Sequence, residues 1–279
     1  MIFSRTITFF FIFFLSTNLF SFEKLKFNKP KFSGFKSNTV IMPSKEIQQP
    51  VPAVIFLPVC TGVNSKTIGD YKRWSKFFLE NGYATLTVDF YKGRNGRSSG
   101  CTVNRKVGEV QITKDLYDAV EYLSQIENID KNRIFSLGFS LGSLANGLIA
   151  SEKMSKRIGK DRLRPRAVGS LYGGCVFGWG FARFLYPDSN LPIIWLMGSK
   201  DKEVPPSLCL DTLKEIKKIN KTKVEWHVYD GATHCWDCRS LSGTTRVADW
   251  NKETVTYIYK TEFVKDSEQR VLKFFNSFK

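Results

Sequence analysis

The sequence predicts an α/β fold, with a mostly parallel central sheet covered by helices on both faces. Three observations carry that prediction. After residue 50, apolar runs of strand length alternate with segments of helical period, the pattern of a sheet whose crossovers are helices. No internal repeat, low-complexity linker or break in composition divides the chain beyond its first twenty residues. The residues best suited to nucleophilic chemistry fall just beyond the ends of the apolar runs, where parallel sheets gather their functional loops.

The strand-like runs are 53–57, 84–90, 133–137, 167–172, 193–197 and 224–228. The last of them, Val224-Glu-Trp-His-Val228, alternates as a strand does. Between the first two, Tyr71, Trp74, Phe77 and Phe78 share one helical face, and Gly82 is placed to end that helix. Ile112, Leu116, Ala119, Val120, Leu123 and Ile126 form a longer apolar stripe. The segment 143–150 is small and apolar throughout and reads as a buried helix. A last helix carries Val271, Leu272 and Phe275, with Ser267 or Asp266 as its expected N-cap.

The N-terminus has a different character. Arg5 precedes a short apolar run, and small and polar residues follow as far as Ser21. This is the layout of a secretory signal peptide over residues 1–21, followed by one domain over 22–279. The run is about half the roughly 20 apolar residues a membrane span needs, so no stable span is expected after signal removal. The expected location is exported, either periplasmic or secreted.

At 42% hydrophobic and 14% aromatic, the composition is that of a globular chain. The net charge of +16 raises a nucleic-acid reading. However, the basic residues are scattered, and the densest cluster, 153–166, lacks interleaved aromatics for stacking on bases. The charge reads as a solvated basic surface, and no nucleic-acid partner is expected.

Six cysteines stand at 60, 101, 175, 209, 235 and 238. An even count in an exported chain permits disulfides, with several pairings open. A bridge between Cys60 and Cys101 is one expectation. Cys235 and Cys238 are expected to bridge each other or to reach Cys60, Cys101 or Cys209, pinning the loop they occupy. The alternatives for that pair are a redox dithiol, which lacks its usual helical context, and a metal site, which lacks a fourth ligand at suitable spacing. No metal or other cofactor is expected.

Gly-x-Ser-x-Gly occurs twice. The first match, 96–100, sits in a polar stretch with no helical stripe directly after it. The second, Gly138-Phe-Ser140-Leu-Gly142, follows the run 133–137 and opens the buried helix. A strand–serine–helix turn crowds the residues two before and two after the serine, which glycine relieves, and it lifts the hydroxyl above the sheet. Ser140 is therefore the candidate nucleophile. A serine hydroxyl needs a base, and the chain has only two histidines. His227 lies inside a strand-like run and reads as structural, whereas His234 follows that run in a loop and is the candidate base. Asp201, in the loop after 193–197, is the candidate acid to orient the imidazole, with Glu203 as fallback. Asp230 and Asp237 are too near His234 in the chain to be favoured. For the oxyanion hole, the candidate backbone donors are Leu141 and Cys60, with Thr61 as the alternative to Cys60.

The order Ser140, Asp201, His234 is that of α/β-hydrolases. With these pieces in place the chain resembles the dienelactone hydrolase family of the α/β-hydrolase fold, from roughly Pro52 to Phe275. The resemblance rests on Leu57-Pro-Val-Cys-Thr-Gly62, Gly138-Phe-Ser-Leu-Gly142, Gly198-Ser-Lys-Asp201 with Val204-Pro205, and Tyr229-Asp-Gly-Ala-Thr-His234. It implies hydrolysis of a small ester or lactone by a metal-free triad. Two departures set this chain apart: Ser140 stands where dienelactone hydrolase itself has a cysteine, and Pro58 replaces a histidine common in the oxyanion segment of related hydrolases. The expected activity is cleavage of a carboxylic ester, lactone or thioester through an acyl-enzyme on Ser140. The alternatives are a silent binding protein on the same fold and a hydrolase of peptide or acyl-sugar bonds. Oligomeric state is not fixed by the sequence.

Overall fold

The structure is a computed structural model, and it describes residues 24–43, 48–94, 101, 107–177 and 182–278. Residues 1–21, read above as a signal peptide, and the first Gly-x-Ser-x-Gly match, 96–100, lie outside the described residues.

An eight-stranded sheet runs through the molecule in the order β1 (Asn28–Lys31), β2 (Thr39–Ile41), β4 (Ala84–Thr87), β3 (Val51–Leu57), β5 (Ile129–Phe139), β6 (Ala167–Leu171), β9 (Ile193–Gly198), β10 (Val224–Tyr229). From β4 to β10 every pairing is parallel, and only the contact of β2 with β4 is antiparallel. The two remaining ribbons are β7 (Val176–Phe177) with β8 (Ala182–Arg183), and β11 (Thr245–Val247) with β12 (Thr254–Thr256).

Side-chain alternation on β3 explains its unbroken apolar run. Ala53, Ile55 and Leu57 point into one core cluster, and Val54 and Phe56 point into a second. The first cluster is roofed by α2 (Glu109–Ser124), α3 (Leu141–Ala150) and α5 (Ser207–Ile219), and the second by α1 (Ile68–Glu80) and α6 (Thr261–Asn276). Each fully buried Phe or Leu in these layers contributes about 2 kcal/mol by leaving water. The predicted mostly parallel sheet with helices on both faces is therefore the one observed.

Several elements depart from the sequence reading. The expected strand 84–90 pairs only as far as Thr87, although Val88 still donates its N–H to Phe56 at 3.0 Å. Gly82 ends α1 as expected, in the left-handed region at φ 80°. The expected cap of the last helix is wrong, because α6 begins at Thr261 with Lys260 as its N-cap. Ser267 lies inside α6 and spends its hydroxyl on the Val264 carbonyl, and the Asp266 carboxylate accepts from Tyr229. The basic cluster is also more structured than a solvated face. It starts in α4 (Glu152–Gly159), capped by the Ser151 side chain. Beyond α4, the Arg162 guanidinium binds Glu121 and Asp118 on α2 at 2.6 Å. Among the described residues, no helix is long and apolar enough to cross a membrane.

Candidate active site

At the junction of β5 and α3 the chain reverses on Ser140, which sits at φ 49°, a left-handed backbone that a non-glycine residue tolerates only when its surroundings enforce it. Those surroundings are specific. The Ser140 N–H donates to the Leu171 carbonyl at the end of β6, and Gly142 N–H donates to Pro58 beyond β3. A Cβ on Gly138 would stand 2.6 Å from the Gly142 backbone, and one on Gly142 would stand 2.1 Å from the Leu57 carbonyl. Both glycines of the motif are thus demanded by backbone contact, and the Ser140 hydroxyl is presented at the sheet rim.

Two neighbouring parallel strands supply the other candidates. The loops after β9 and β10 are clamped together, with the Lys200 N–H donating to Ala232 at 2.9 Å. A Cβ on Gly198 would meet that same Ala232 carbonyl at 2.4 Å, so this close approach requires glycine. The clamp brings Asp201 Oδ2 to 2.8 Å from His234 Nδ1, while His234 Nε2 lies 3.0 Å from Ser140 Oγ. The Val204 N–H holds the other Asp201 oxygen at 2.7 Å. Ser140, Asp201 and His234, from three separate loops, thus meet in one hydrogen-bonded line. His227 stays on β10 with its ring against Tyr229, away from this line.

Asp201 and His234 are each only 3% exposed. Burial alone would lower the proton affinity of His234, but the carboxylates of Asp201 and Glu203 outweigh it, so its pKa is held above the ordinary histidine value. Burial pushes the Asp201 carboxyl upward, against the pull of the imidazole. The Tyr172 ring packs edge-on against the imidazole at 4.9 Å, fixing its plane.

A cavity of about 210 Å³ opens over Ser140. Cys60 and Leu141 line it beside the serine, and Thr61 is not among its walls. The Tyr91 hydroxyl donates to the Cys60 carbonyl at 2.9 Å, which orients that segment. Leu144, Phe177, Phe184, Val204 and Trp250 form an apolar wall, and Glu203 and Arg246 form a polar one. The small ribbons around β7–β8 and β11–β12 contribute most of these, and the sequence reading missed them. Strands of two or three residues carry no usable period, and the one signal was the exposed aromatic Trp250.

Glu203, the fallback acid, does not reach Nδ1. Its carboxylate accepts from Arg246 and from the Tyr257 hydroxyl, and its Oε2 stands 3.8 Å from His234 Nε2. Asp230 accepts from Ser199, and Asp237 points beneath the site, away from the imidazole.

The cysteines form three bridges: Cys60–Cys101, Cys175–Cys209 and Cys235–Cys238. The first and third match the sequence expectations. Cys209 pairs with Cys175 instead of the histidine loop because α5 packs beside the strand end carrying Cys175, with Cys209 also directed at Gly173. The third bridge closes the turn directly after His234, where Cys235 takes φ 56°. It also occupies both sulfurs that a metal at 235–238 would need.

This sheet order, with a strained serine turn beneath a cavity, defines the chain as an α/β hydrolase. It belongs to the dienelactone hydrolase family, whose model matches residues 38–279, a longer stretch than the motifs alone had marked. Membership places it among enzymes of ester hydrolysis. No curated protein matches the chain. Among solved structures, it is similar to a protein from Klebsiella pneumoniae subsp. pneumoniae described as a dienelactone hydrolase, at 20% identity and TM-score 0.62, covering 83% of this chain and 89% of that one. It is similar to an acetyl ester-xyloside bifunctional hydrolase from Caldicellulosiruptor lactoaceticus, at 18% identity and TM-score 0.55, covering 85% and 87%. A thermophilic esterase from Thermogutta terrifontis matches at 16% identity and TM-score 0.53, covering 71% and 79%. At these identities the likeness concerns the fold.

Proposed function

We propose that the protein is a serine hydrolase that cleaves a small carboxylic ester, lactone or thioester through an acyl-enzyme on Ser140. One observation carries this reading: the unbroken line from Asp201 Oδ2 through His234 to Ser140 Oγ, at 2.8 and 3.0 Å. In it, Nδ1–H donates to Asp201, which leaves Nε2 as acceptor for the serine proton. Oγ attacks the carbonyl carbon as Nε2 takes that proton, and the carbonyl oxygen becomes an oxyanion facing the N–H groups of Leu141 and Cys60. Each such donor is worth about 3 kcal/mol in the transition state. The imidazolium returns the proton to the leaving alcohol or thiol. A water then attacks the acyl carbon, again losing its proton to Nε2, and the acid departs as Ser140 is restored. The cavity of about 210 Å³ suits a small acyl group held against Leu144, Phe177 and Trp250.

Residues 1–21 act as an export signal in this reading, and 22–279 form one domain that works in the periplasm or outside the cell. The three disulfides support an oxidising compartment.

Turnover of short-chain p-nitrophenyl esters by the wild type, with loss of about 10⁵-fold or more in Ser140→Ala, is the expected result. Equal turnover in the variant would end the assignment. A fluorophosphonate probe separates an active enzyme from a silent binding protein, because only an activated serine is labelled. Profiling against peptides and acyl-sugars tests the bond cleaved.

A further inference from the structure

Asp201 accounts for one nitrogen of His234, yet a second carboxylate faces the other. Glu203 Oε2 stands 3.8 Å from Nε2, the same nitrogen that Ser140 Oγ approaches to 3.0 Å. Glu203 is only 7% exposed and lines the cavity over the serine. It is also held still: Arg246 donates to Oε1, Tyr257 donates to Oε2 at 3.1 Å, and Arg246 Nε–H donates to the Tyr257 oxygen at 2.6 Å. A carboxylate locked in this way cannot swing round to Nδ1.

The separation is informative. At 3.8 Å no hydrogen bond forms, so in the resting enzyme the serine keeps Nε2 to itself. Once Nε2 takes the serine proton, the ring is a cation with a fixed carboxylate beside its newly protonated nitrogen, and both groups are buried. The attraction is absent before proton transfer and present after it, which is the condition for accelerating a step instead of merely binding its ground state. We propose that Glu203 is a positioning residue for His234, a second carboxylate that stabilises the imidazolium from the serine side while Asp201 stabilises it from the other. This rests on the reading of His234 as the base for Ser140.

The groups facing the imidazole set the sign of the test. Asp201 and Glu203 raise its proton affinity, and Arg246, which binds Glu203, lowers it. The rings of Tyr172 and Tyr257 lie 4.9 and 6.1 Å away, and the burial and nearby carboxylates that raise both hydroxyls well above the ordinary tyrosine range keep them neutral. The adjacent Cys235–Cys238 bridge does not titrate.

Two variants therefore move the base in opposite directions. In kcat/KM against pH on a p-nitrophenyl ester, Glu203→Gln is expected to shift the acid limb down by about 1 pH unit. Plateau kcat is expected to fall about tenfold. Arg246→Met, which leaves the Glu203 charge unopposed, is expected to shift the limb up. Loss of packing alone would not produce opposite signs. The same titration is read by NMR on ¹³C-labelled histidine in a Ser140→Ala background, where His234 reports without any turnover. A failed hydrolase assignment and a failed role for Glu203 are thereby distinguishable. A Glu203→Gln limb coincident with the wild type, or both variants moving the same way, overturns the proposal. Should Glu203→Gln not fold, Arg246→Met decides alone, since a limb that stays or falls rejects the idea.

Discussion

Two acid-rich clusters, each built around one arginine, lie on opposite sides of the histidine loop. On the cavity side, Asp201 and Glu203 face His234 with Arg246 and Tyr257 behind them. Beneath it, Asp237 accepts from Trp74 and Tyr172 at 2.7 Å and from Arg73 at 3.1 Å, with Glu268 and Asp70 close by. Residue types and burial are nearly the same in both. The difference is that the upper cluster borders a cavity and contains an imidazole able to gain and lose a proton, whereas the lower one is sealed and every Asp237 oxygen is already bonded. A cluster of buried carboxylates is thus no sign of catalysis by itself. What counts is whether a group in it can change its charge while facing open space.

Substitutions of one carboxylate in each cluster put that contrast to the test. Asp201→Asn leaves the packing intact but removes the acceptor that fixes the tautomer of His234. A loss of about 10⁴-fold in kcat is expected, with the unfolding midpoint in urea little changed. Asp237→Ala is expected to act the other way. It leaves the buried Trp74 and Tyr172 donors without their acceptor and Arg73 with Glu268 alone, at a cost of about 2–4 kcal/mol in stability, measured by urea denaturation. The kcat per folded molecule, from active-site titration, is expected to stay within about tenfold of the wild type. A kinetic loss in Asp237→Ala as deep as that in Asp201→Asn would erase the distinction between the clusters. A smaller effect concerns pH. The proposed mechanism needs a neutral imidazole, and the His234 pKa lies above the ordinary histidine value. Activity is therefore expected to rise with pH through a midpoint above about 6.5, and an acid limb below that value would show that the carboxylates do not govern the base.

The upper cluster was half legible in the sequence. Ser140, Asp201 and His234, which the structure brings together, could be picked as candidates because each follows a strand in a loop with local marks: the flanking glycines of Ser140, the Gly198-Ser-Lys-Asp201 turn, and a choice between only two histidines. Glu203 stands two residues from Asp201, and nothing in the local pattern says which of the two reaches Nδ1. The turn decides it, through the Val204 N–H that holds Asp201 in place. Arg246 lies on β11 and Tyr257 directly after β12, three-residue strands whose pairing with each other is not encoded in any period. The lower cluster was not legible at all, because Asp70, Arg73 and Trp74 on α1 meet Asp237 across more than 160 residues of chain. Helix α5 escaped for a different reason: only Cys209, Thr212, Leu213 and Ile216 of its length are buried, too narrow a stripe among lysines to stand out.

The smallest expected effect belongs to Asp70, and it shows the lower cluster as a structural compromise. Burial and the neighbouring Asp237 carboxylate push its pKa up from 3.8 to about 7. One oxygen accepts from the Arg239 N–H at 3.1 Å, and the other, Oδ2, has no hydrogen-bond partner. In the native state Asp70 therefore holds a proton over the range from about pH 4 to 7, where the unfolded chain has already released it. Stability contributed by this group is full below about pH 4 and is lost as pH rises through about 7. Asp70→Asn keeps the acceptor for Arg239 and removes the charge, so its advantage over the wild type should be absent at pH 4 and present at pH 8. Against that gain stands the loss of a negative charge in the first turn of α1, worth about 0.3–1 kcal/mol. The linkage term is the larger of the two even after allowance for partial solvation, which leaves a net gain of about 1–2 kcal/mol at pH 8. Urea unfolding of both proteins at the two pH values measures it. A variant equally stabilised at pH 4, or destabilised at pH 8, would mean that Asp70 is a productive anion in the fold, and that the sealed cluster uses charge much as the open one does.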